Sequence, residues 1–266
     1  MRTTDLGRRA AHLRRETLYM IATAGTGHPG SSLSALDIMV CLYYRVMAFD
    51  PAQPDRMDRD RFVLSKGHGA PALYAILMDL GLVAAESRDA LRALGSPLQG
   101  HPDRRFTPAV EASTGSLGQG LSMGVGMALG ARKRGLGSRV YVLVGDGECQ
   151  EGQIWEAAMS AAHLGLENLC VIIDANGLQH DAPIDSVLRI EPLAAKWEAF
   201  GWEVREVDGH DHDALLVAFE PARAGKPLAI VARTVKGKGV DFMENRCEWH
   251  SVKDPNLLRE RLKEWS

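Results

Sequence analysis

The four cysteines of this 266-residue chain, Cys41, Cys149, Cys170 and Cys247, form no CxxC pair, and two of them lie in apolar runs. Reduced thiols in a cytosolic protein are the simple reading. The N-terminus, MRTTDLGRRAAHLRRETL, is basic at intervals but lacks the apolar core of a signal peptide. No later run is long and apolar enough to span a bilayer, so the expected location is the cytoplasm, away from membranes. A net charge of -3, with charges of both signs interspersed, leaves no basic face for nucleic acid. Internal repeats and low-complexity tracts are also lacking. No GxxxxGK[ST] phosphate loop and no HExxH metal motif occurs.

What is present is a chain with 45% hydrophobic residues, enough to bury one sizeable core. A single α/β domain over residues 1–266 is expected. Its clearest unit runs from Val140 to Leu178: an apolar strand, a sharp Gly145-Asp146-Gly147 turn, an amphipathic helix, and a second apolar strand ending in Asp174-Ala175-Asn176-Gly177-Leu178. Strands made almost wholly of Val, Leu, Ile and Cys are buried on both faces, which implies a parallel sheet with helices on both faces. Ligands of such sheets sit beyond the carboxyl ends of the strands, where Asp146 and Asn176 fall.

Around this unit the pattern predicts a helix from Leu6 to Ala24, stopped by Gly25-Thr26-Gly27-His28-Pro29-Gly30, and a second running through Ala35 to Val46, capped by Ser31 or Ser32. A loop over 50–60 precedes a strand at Arg61–Leu64, the turn Ser65-Lys66-Gly67-His68-Gly69 and a helix from Pro71 to Leu80. Ser87–Leu94 reads as another helix. A glycine-rich turn, 114–120, opens a helix whose Gly124, Gly126, Ala128 and Gly130 point to close packing. Later elements are helices near Pro192–Phe200 and His212–Phe219, strands at Trp202–Val207 and Leu228–Thr234, and a charged helical tail over 254–266.

One carboxylate, one amide oxygen and nearby backbone carbonyls make an oxygen-only site too poor to hold a metal alone. Magnesium commonly completes its octahedron with water and substrate phosphates, so Asp146 and Asn176 hint at a metal bound jointly with a diphosphate. Backbone N–H groups of the glycine turn would add anion contacts. Taken singly, each turn is equally an ordinary tight turn. A nicotinamide reading fails, because Gly145-Asp146-Gly147 is followed by Glu148, Cys149 and Gln150, without the third glycine of the dinucleotide fingerprint. Four of the nine histidines, His28, His68, His101 and His250, lie in loop motifs. Each alone is more often a capping or surface residue. Together they suggest one polar pocket suited to sugar hydroxyls and to proton movement near neutral pH.

Asp146 followed thirty residues later by Asn176 resembles the thiamine diphosphate signature, and Gly145-Asp146-Gly147-Glu148-Cys149-Gln150-Glu151-Gly152 resembles the transketolase form of it. Thr26-Gly27-His28-Pro29-Gly30, Leu64 to Gly69, Gly100-His101-Pro102, Thr114 to Gly120 and Glu248-Trp249-His250 follow in the order of that family. The resemblance implies a thiamine diphosphate-binding fold in which Asp146, Asn176 and the Leu178 carbonyl hold magnesium, or calcium or manganese in its place. It implies that His68, Gly115, Ser116, Leu117, Gly147, Asn176 and His250 contact the cofactor, and that His28, His101 and His250 serve catalysis on the sugar. Glu151 resembles a family glutamate at a dimer interface, though a solvated acid in the first turn of a helix is the other reading. Ser116 stands where many transketolases have proline, and Ser251 where glycine is common.

The chain ends after the diphosphate-binding region, so the resemblance implies a split transketolase. The pyrimidine-binding domain and its glutamate would come from a second subunit in an α₂β₂ assembly, transferring a two-carbon ketol unit between sugar phosphates. The alternatives are a subunit of a deoxyxylulose phosphate synthase-like or 2-oxo acid decarboxylase-type enzyme, and a non-catalytic scaffold.

Overall fold

In a computed structural model, which describes residues 3–180 and 182–264, the strands form one parallel sheet. They are β1 (Arg61–Leu64), β2 (Val140–Gly145), β3 (Leu169–Ala175), β4 (Glu203–Asp208) and β5 (Leu228–Arg233), in the order β1-β2-β3-β5-β4. All residues of β2 and β3 are buried. Alternate side chains divide between two cores, as the period of two in a strand requires. Tyr141, Leu143, Cys170 and Ile172 enter one core. Val140, Val142, Val171 and Ile173 enter the other. Edge strand β4, EVREVD, mixes charges with valines and stays partly exposed, as an edge position permits.

The first core is covered by α1 (Thr3–Ala24), α2 (Pro29–Cys41) and α3 (Ala70–Asp79). The second is covered by α4 (Gln119–Lys133) and α5 (Gly152–His163). The short α6 (Ile184–Val187) and α7 (Leu193–Ala199) bury Ile184, Leu193 and Trp197 in that second core. Helix α8 (His212–Ala218) and the C-terminal α9 (Pro255–Glu264) return to the first. Helices on both faces of a parallel sheet are therefore the observed architecture. Residues 265 and 266 of the expected tail lie outside the described residues.

Three local expectations are corrected. Helix α2 begins at Pro29 with His28 as its N-cap; Ser31 and Ser32 lie buried inside it, and the Ser32 hydroxyl donates back to the His28 carbonyl at 2.8 Å. Proline at the first position, with its fixed φ and absent N–H, starts the helix earlier than the serines would. Its continuation, Leu42–Val46, is a π-helical turn. Ala85–Ala90 is a 3₁₀ segment with no buried residue; the helix expected over Ser87–Leu94 is broken at Arg92, which stands at φ +61°, and of that stretch Leu91 alone is buried, in the first core.

The glycines of α4 divide. A Cβ on Gly124 would run into Val142 Cγ2, whereas Gly126 and Gly130 have nothing within 4 Å. Opposite effects are expected in the isolated chain. Gly124→Ala should destabilise by about 1–3 kcal/mol through overpacking. Gly126→Ala should stabilise by about 0.5–1 kcal/mol through helix propensity. Urea unfolding of both variants checks this, and shifts of the same sign would refute it.

Candidate functional site

Each of four strands hands the chain to a polar turn at the same edge of the sheet. Ser65 to His68 follow β1, Asp146 and Gly147 follow β2, Asn176 to His180 follow β3, and Thr234 to Lys236 follow β5. These turns bound a cleft of about 390 Å³ lined by His28, His68, His101, Gly115, Leu117, Asp146, Gly147, Asn176, Leu178 and His250. A larger groove of about 610 Å³ between α1 and α9 is mainly apolar and contains neither a carboxylate nor an imidazole.

The four motif histidines converge, as their loop positions suggested. His28 lies with its ring centre 5.5 Å from His68, 6.1 Å from His101 and 5.4 Å from His250. Their titration does not sit near neutrality. Burial, and then the charge of Arg92, lower His28 to about 4. Burial, and then Lys236, lower His250 to about 3. Burial lowers His101 and, reinforced by Lys66, holds His68 well below its ordinary value. At neutral pH the cluster is a set of uncharged imidazoles, each able to donate and accept. The Lys236 ammonium donates to His250 Nδ1 at 3.1 Å, which leaves the ring proton on Nε2. His28 Nδ1 is buried without a partner. Gly115, at φ +142°, lets the chain pass His101, whose Cγ would lie 3.0 Å from a Cβ there.

Asp146 is set differently. It accepts the Gly147 N–H at 2.8 Å and the Gly177 N–H at 2.6 Å, and among the described residues no side-chain cation is bonded to it. Burial and the neighbouring Asp174 carboxylate push it up to about 7. Asn176 Oδ1 accepts the Leu178 N–H at 3.1 Å, and the Leu178 carbonyl accepts from Lys236 at 3.1 Å. These oxygens keep free lone pairs. Among the described residues no group of three or more His, Cys, Asp or Glu side chains is placed to hold a metal. A cation here would depend on one carboxylate, one amide oxygen, one carbonyl and the oxygens of a bound ligand.

Several cleft residues carried no functional role in the sequence reading, among them Ser31, Lys66, Glu148, Gln179, His180 and Lys236. Lys236 donates to the Leu178 and Gln179 carbonyls and to His250, and among the described residues no carboxylate is bonded to it. Burial and the charge of Lys66 lower it to about 8. Such an ammonium, together with the glycine-turn amides, fits an anionic ligand such as a diphosphate. Lys66 pairs with Asp174, which also accepts from Ser34 and Thr234. Burial pushes Asp174 up, but Lys66 and the two hydroxyls outweigh it and hold it below its usual range. Glu148 accepts from the Ser65 hydroxyl and from the Gly118 and Gly145 amides, bracing three turns beneath the cleft. The signal for both lysines was a charged residue within a few positions of an apolar strand end. Ser116, expected at the cofactor, is exposed and does not line the cleft. Glu151 is exposed at the rim and precedes α5.

Residues 8–257 match the family model described as transketolase, thiamine diphosphate binding domain. The chain belongs to the transketolase family. It is 45% identical over 251 residues to a 6-deoxy-6-sulfo-D-fructose transketolase subunit of Clostridium sp. (strain MSTE9), covering 94% of this chain and 91% of that protein. It is 41% identical over 248 residues to an apulose-4-phosphate transketolase subunit of Actinobacillus succinogenes, covering 92% and 90% respectively. The transketolase structure from Campylobacter jejuni superposes with a TM-score of 0.90 at 32% identity, over 99% of this chain and 43% of that one. This transketolase-family chain thus spans less than half the length of that solved relative.

Proposed function

We propose that the chain is the diphosphate-binding subunit of a split transketolase. Together with a second subunit it would transfer a two-carbon ketol unit from a ketose phosphate to an aldose acceptor. The observation that carries this is the charge pattern of the cleft: among the described residues, a buried carboxylate, Asp146, with no cation bonded to it and a buried ammonium, Lys236, with no carboxylate bonded to it, beside four neutral imidazoles. A divalent metal and a diphosphate complete both.

Asp146, Asn176 Oδ1 and the Leu178 carbonyl would hold magnesium, with calcium or manganese as substitutes, while Lys236, Lys66, His68 and the Gly147 N–H would hold the diphosphate. Gly115 and Leu117 would pack against the aminopyrimidine and thiazolium region. When bound, thiamine diphosphate supplies a nucleophilic carbon and an electron sink for breaking a carbon–carbon bond. The residues of this chain orient the sugar and move its protons. His28 and His101 would bond its hydroxyls and the developing alkoxide, and His250 would donate from Nε2. The cofactor's aminopyrimidine would be served by a glutamate of the partner subunit's pyrimidine-binding domain. Glu151, at the cleft rim, would face that interface in an α₂β₂ assembly in the cytoplasm. Relatives of similar length carrying the word subunit in their names support the split arrangement.

The test is an assay of ketol transfer with thiamine diphosphate and magnesium, using this chain alone and with the product of a neighbouring reading frame. Turnover is expected only from the mixture. Full activity of the isolated chain would overturn the split reading, and carbon dioxide release from pyruvate would favour a 2-oxo acid enzyme.

A further inference from the structure

The turn that carries Lys236 into the cleft is held from behind by residues that do not line the cleft. The Val235 amide donates to His210 Nε2 at 2.8 Å, and His210 Nδ1 lies 2.9 Å from Asp37 Oδ2. Because Val235 can only donate, His210 Nε2 must accept, and the ring proton sits on Nδ1 facing Asp37. On the other side of Lys236, the Lys238 carbonyl accepts from Arg14 Nε at 2.8 Å, and Arg14 Nη2 donates to Asp37 Oδ2 at 3.1 Å. His212 Nε2 occupies the other carboxylate oxygen at 3.1 Å. One carboxylate is thereby joined, through two different side chains, to the residue before Lys236 and to the second residue after it.

The turn runs tightly across this support. The Gly237 amide donates to the Gly30 carbonyl at 3.0 Å, and a Cβ on Gly239 would lie 2.7 Å from Arg14 Nε. Asp37 is 4% exposed, and its bonds to His210 and His212 and the Arg14 charge offset its burial and hold it ionised. A cost comes with taking four polar side chains largely out of water, and a general stabiliser would not need both branches to end on one turn. The turn's cleft residue supplies the reason. Among the described residues no carboxylate is hydrogen-bonded to the Lys236 ammonium, and a buried ammonium so placed gains by withdrawing toward water, so its backbone must be fixed if the charge is to stay in place.

We propose that Asp37 is a positioning residue: through His210 and Arg14 it fixes the backbone on both sides of Lys236 and so sets where the ammonium stands for the cofactor diphosphate. This rests on the reading of Lys236 as a diphosphate-binding residue. Two measurements on the full chain test it. In calorimetric titration with magnesium thiamine diphosphate, His210→Phe should weaken binding about tenfold, the loss of one well-placed bond at the site. His210→Gln, whose side-chain oxygen can accept the Val235 amide, should recover most of that loss. Lys236→Met should weaken binding further, and adding His210→Phe to it should change nothing more, because both act through one ammonium. Additive losses, or no recovery in the glutamine variant, would overturn the proposal.

Amide exchange of the cofactor-free chain supplies the second readout. Protection at Val235 to Gly239 should fall about tenfold in His210→Phe, return in His210→Gln, and stay unchanged in β3. Unchanged exchange at Val235 would overturn the clamp. If neither the wild-type chain nor its complex with the partner subunit binds the cofactor, the diphosphate reading of Lys236 falls, and the proposal falls with it. Exchange at Val235 then tells a backbone clamp without that purpose from no clamp at all. Should His210→Phe not fold, Arg14→Met, which cuts only the Lys238 branch, is read in the same way.

Discussion

Asparagine at position 146 should weaken metal-dependent binding of thiamine diphosphate at least about 100-fold, since it removes the single carboxylate from the oxygen-only metal site proposed above. The same change should alter how stability depends on pH. The native carboxyl titrates at about 7, against an ordinary 3.8, so across that interval the folded chain binds more protons than the unfolded one. The stability lent by this group is complete below pH 4 and is lost as pH rises to 7. Asparagine has no such dependence. Measured against wild type without metal, the variant should therefore gain stability with rising pH from 4 to 7, on the order of 1 kcal/mol per pH unit, and level off above. Its absolute stability is offset by the loss of one of the two backbone N–H bonds that Asp146 accepts, about 1–3 kcal/mol. Urea unfolding at pH 5, 6, 7 and 8 with calorimetric titration at pH 8 reads both effects. Unchanged cofactor affinity would remove Asp146 from the metal site, and parallel pH profiles would refute its buried, unpaired state.

Lys66→Met should have the largest effect on stability. The Lys66 and Asp174 side chains are 2% and 0% exposed, and removing the ammonium strands a fully buried carboxylate among hydroxyl donors. Breaking one side of such a pair costs about 3–5 kcal/mol. For a chain of this size that is on the order of 10 °C in the thermal midpoint. Lys66→Met/Asp174→Asn, which removes both charges, should recover most of the loss. Cofactor affinity should not recover with it, because Lys66 also lines the cleft beside the proposed diphosphate position. Recovery of both properties together would make the pair purely structural. Loss of affinity without loss of stability would refute the account of the buried pair.

The order of elements was legible because it rests on local chemistry. Apolar runs such as VYVLV and LCVII can only be buried on both faces, and the glycine-rich turns after them can only be loops. Boundaries were legible to within a residue or two where an apolar run ended abruptly, as at β1 and α8. They failed where the signal was weak: Pro29 started α2 ahead of the serines, and Ser87–Leu94 is broken by the left-handed Arg92. His28, His68 and His101 were found because each lies in a short glycine- or proline-marked turn, and His250 through the motif Glu248-Trp249-His250. His180 has no such frame, yet its ring stands 4.7 Å from that of His250.

By itself, the order of residues determined a parallel sheet with polar turns at one edge, and hence which side chains could meet there: Asp146, Asn176 and the four histidines. Tertiary structure alone decided their chemical state. Lys66 meets Asp174 across 108 positions, His210 meets Asp37 across 173, and Arg14 reaches Lys238 across 224. Such pairings leave no local periodicity, and the burial that lowers His28 and raises Asp146 comes from segments far along the chain. A side chain's identity is local, whereas its charge depends on the solvent and neighbours that folding leaves around it.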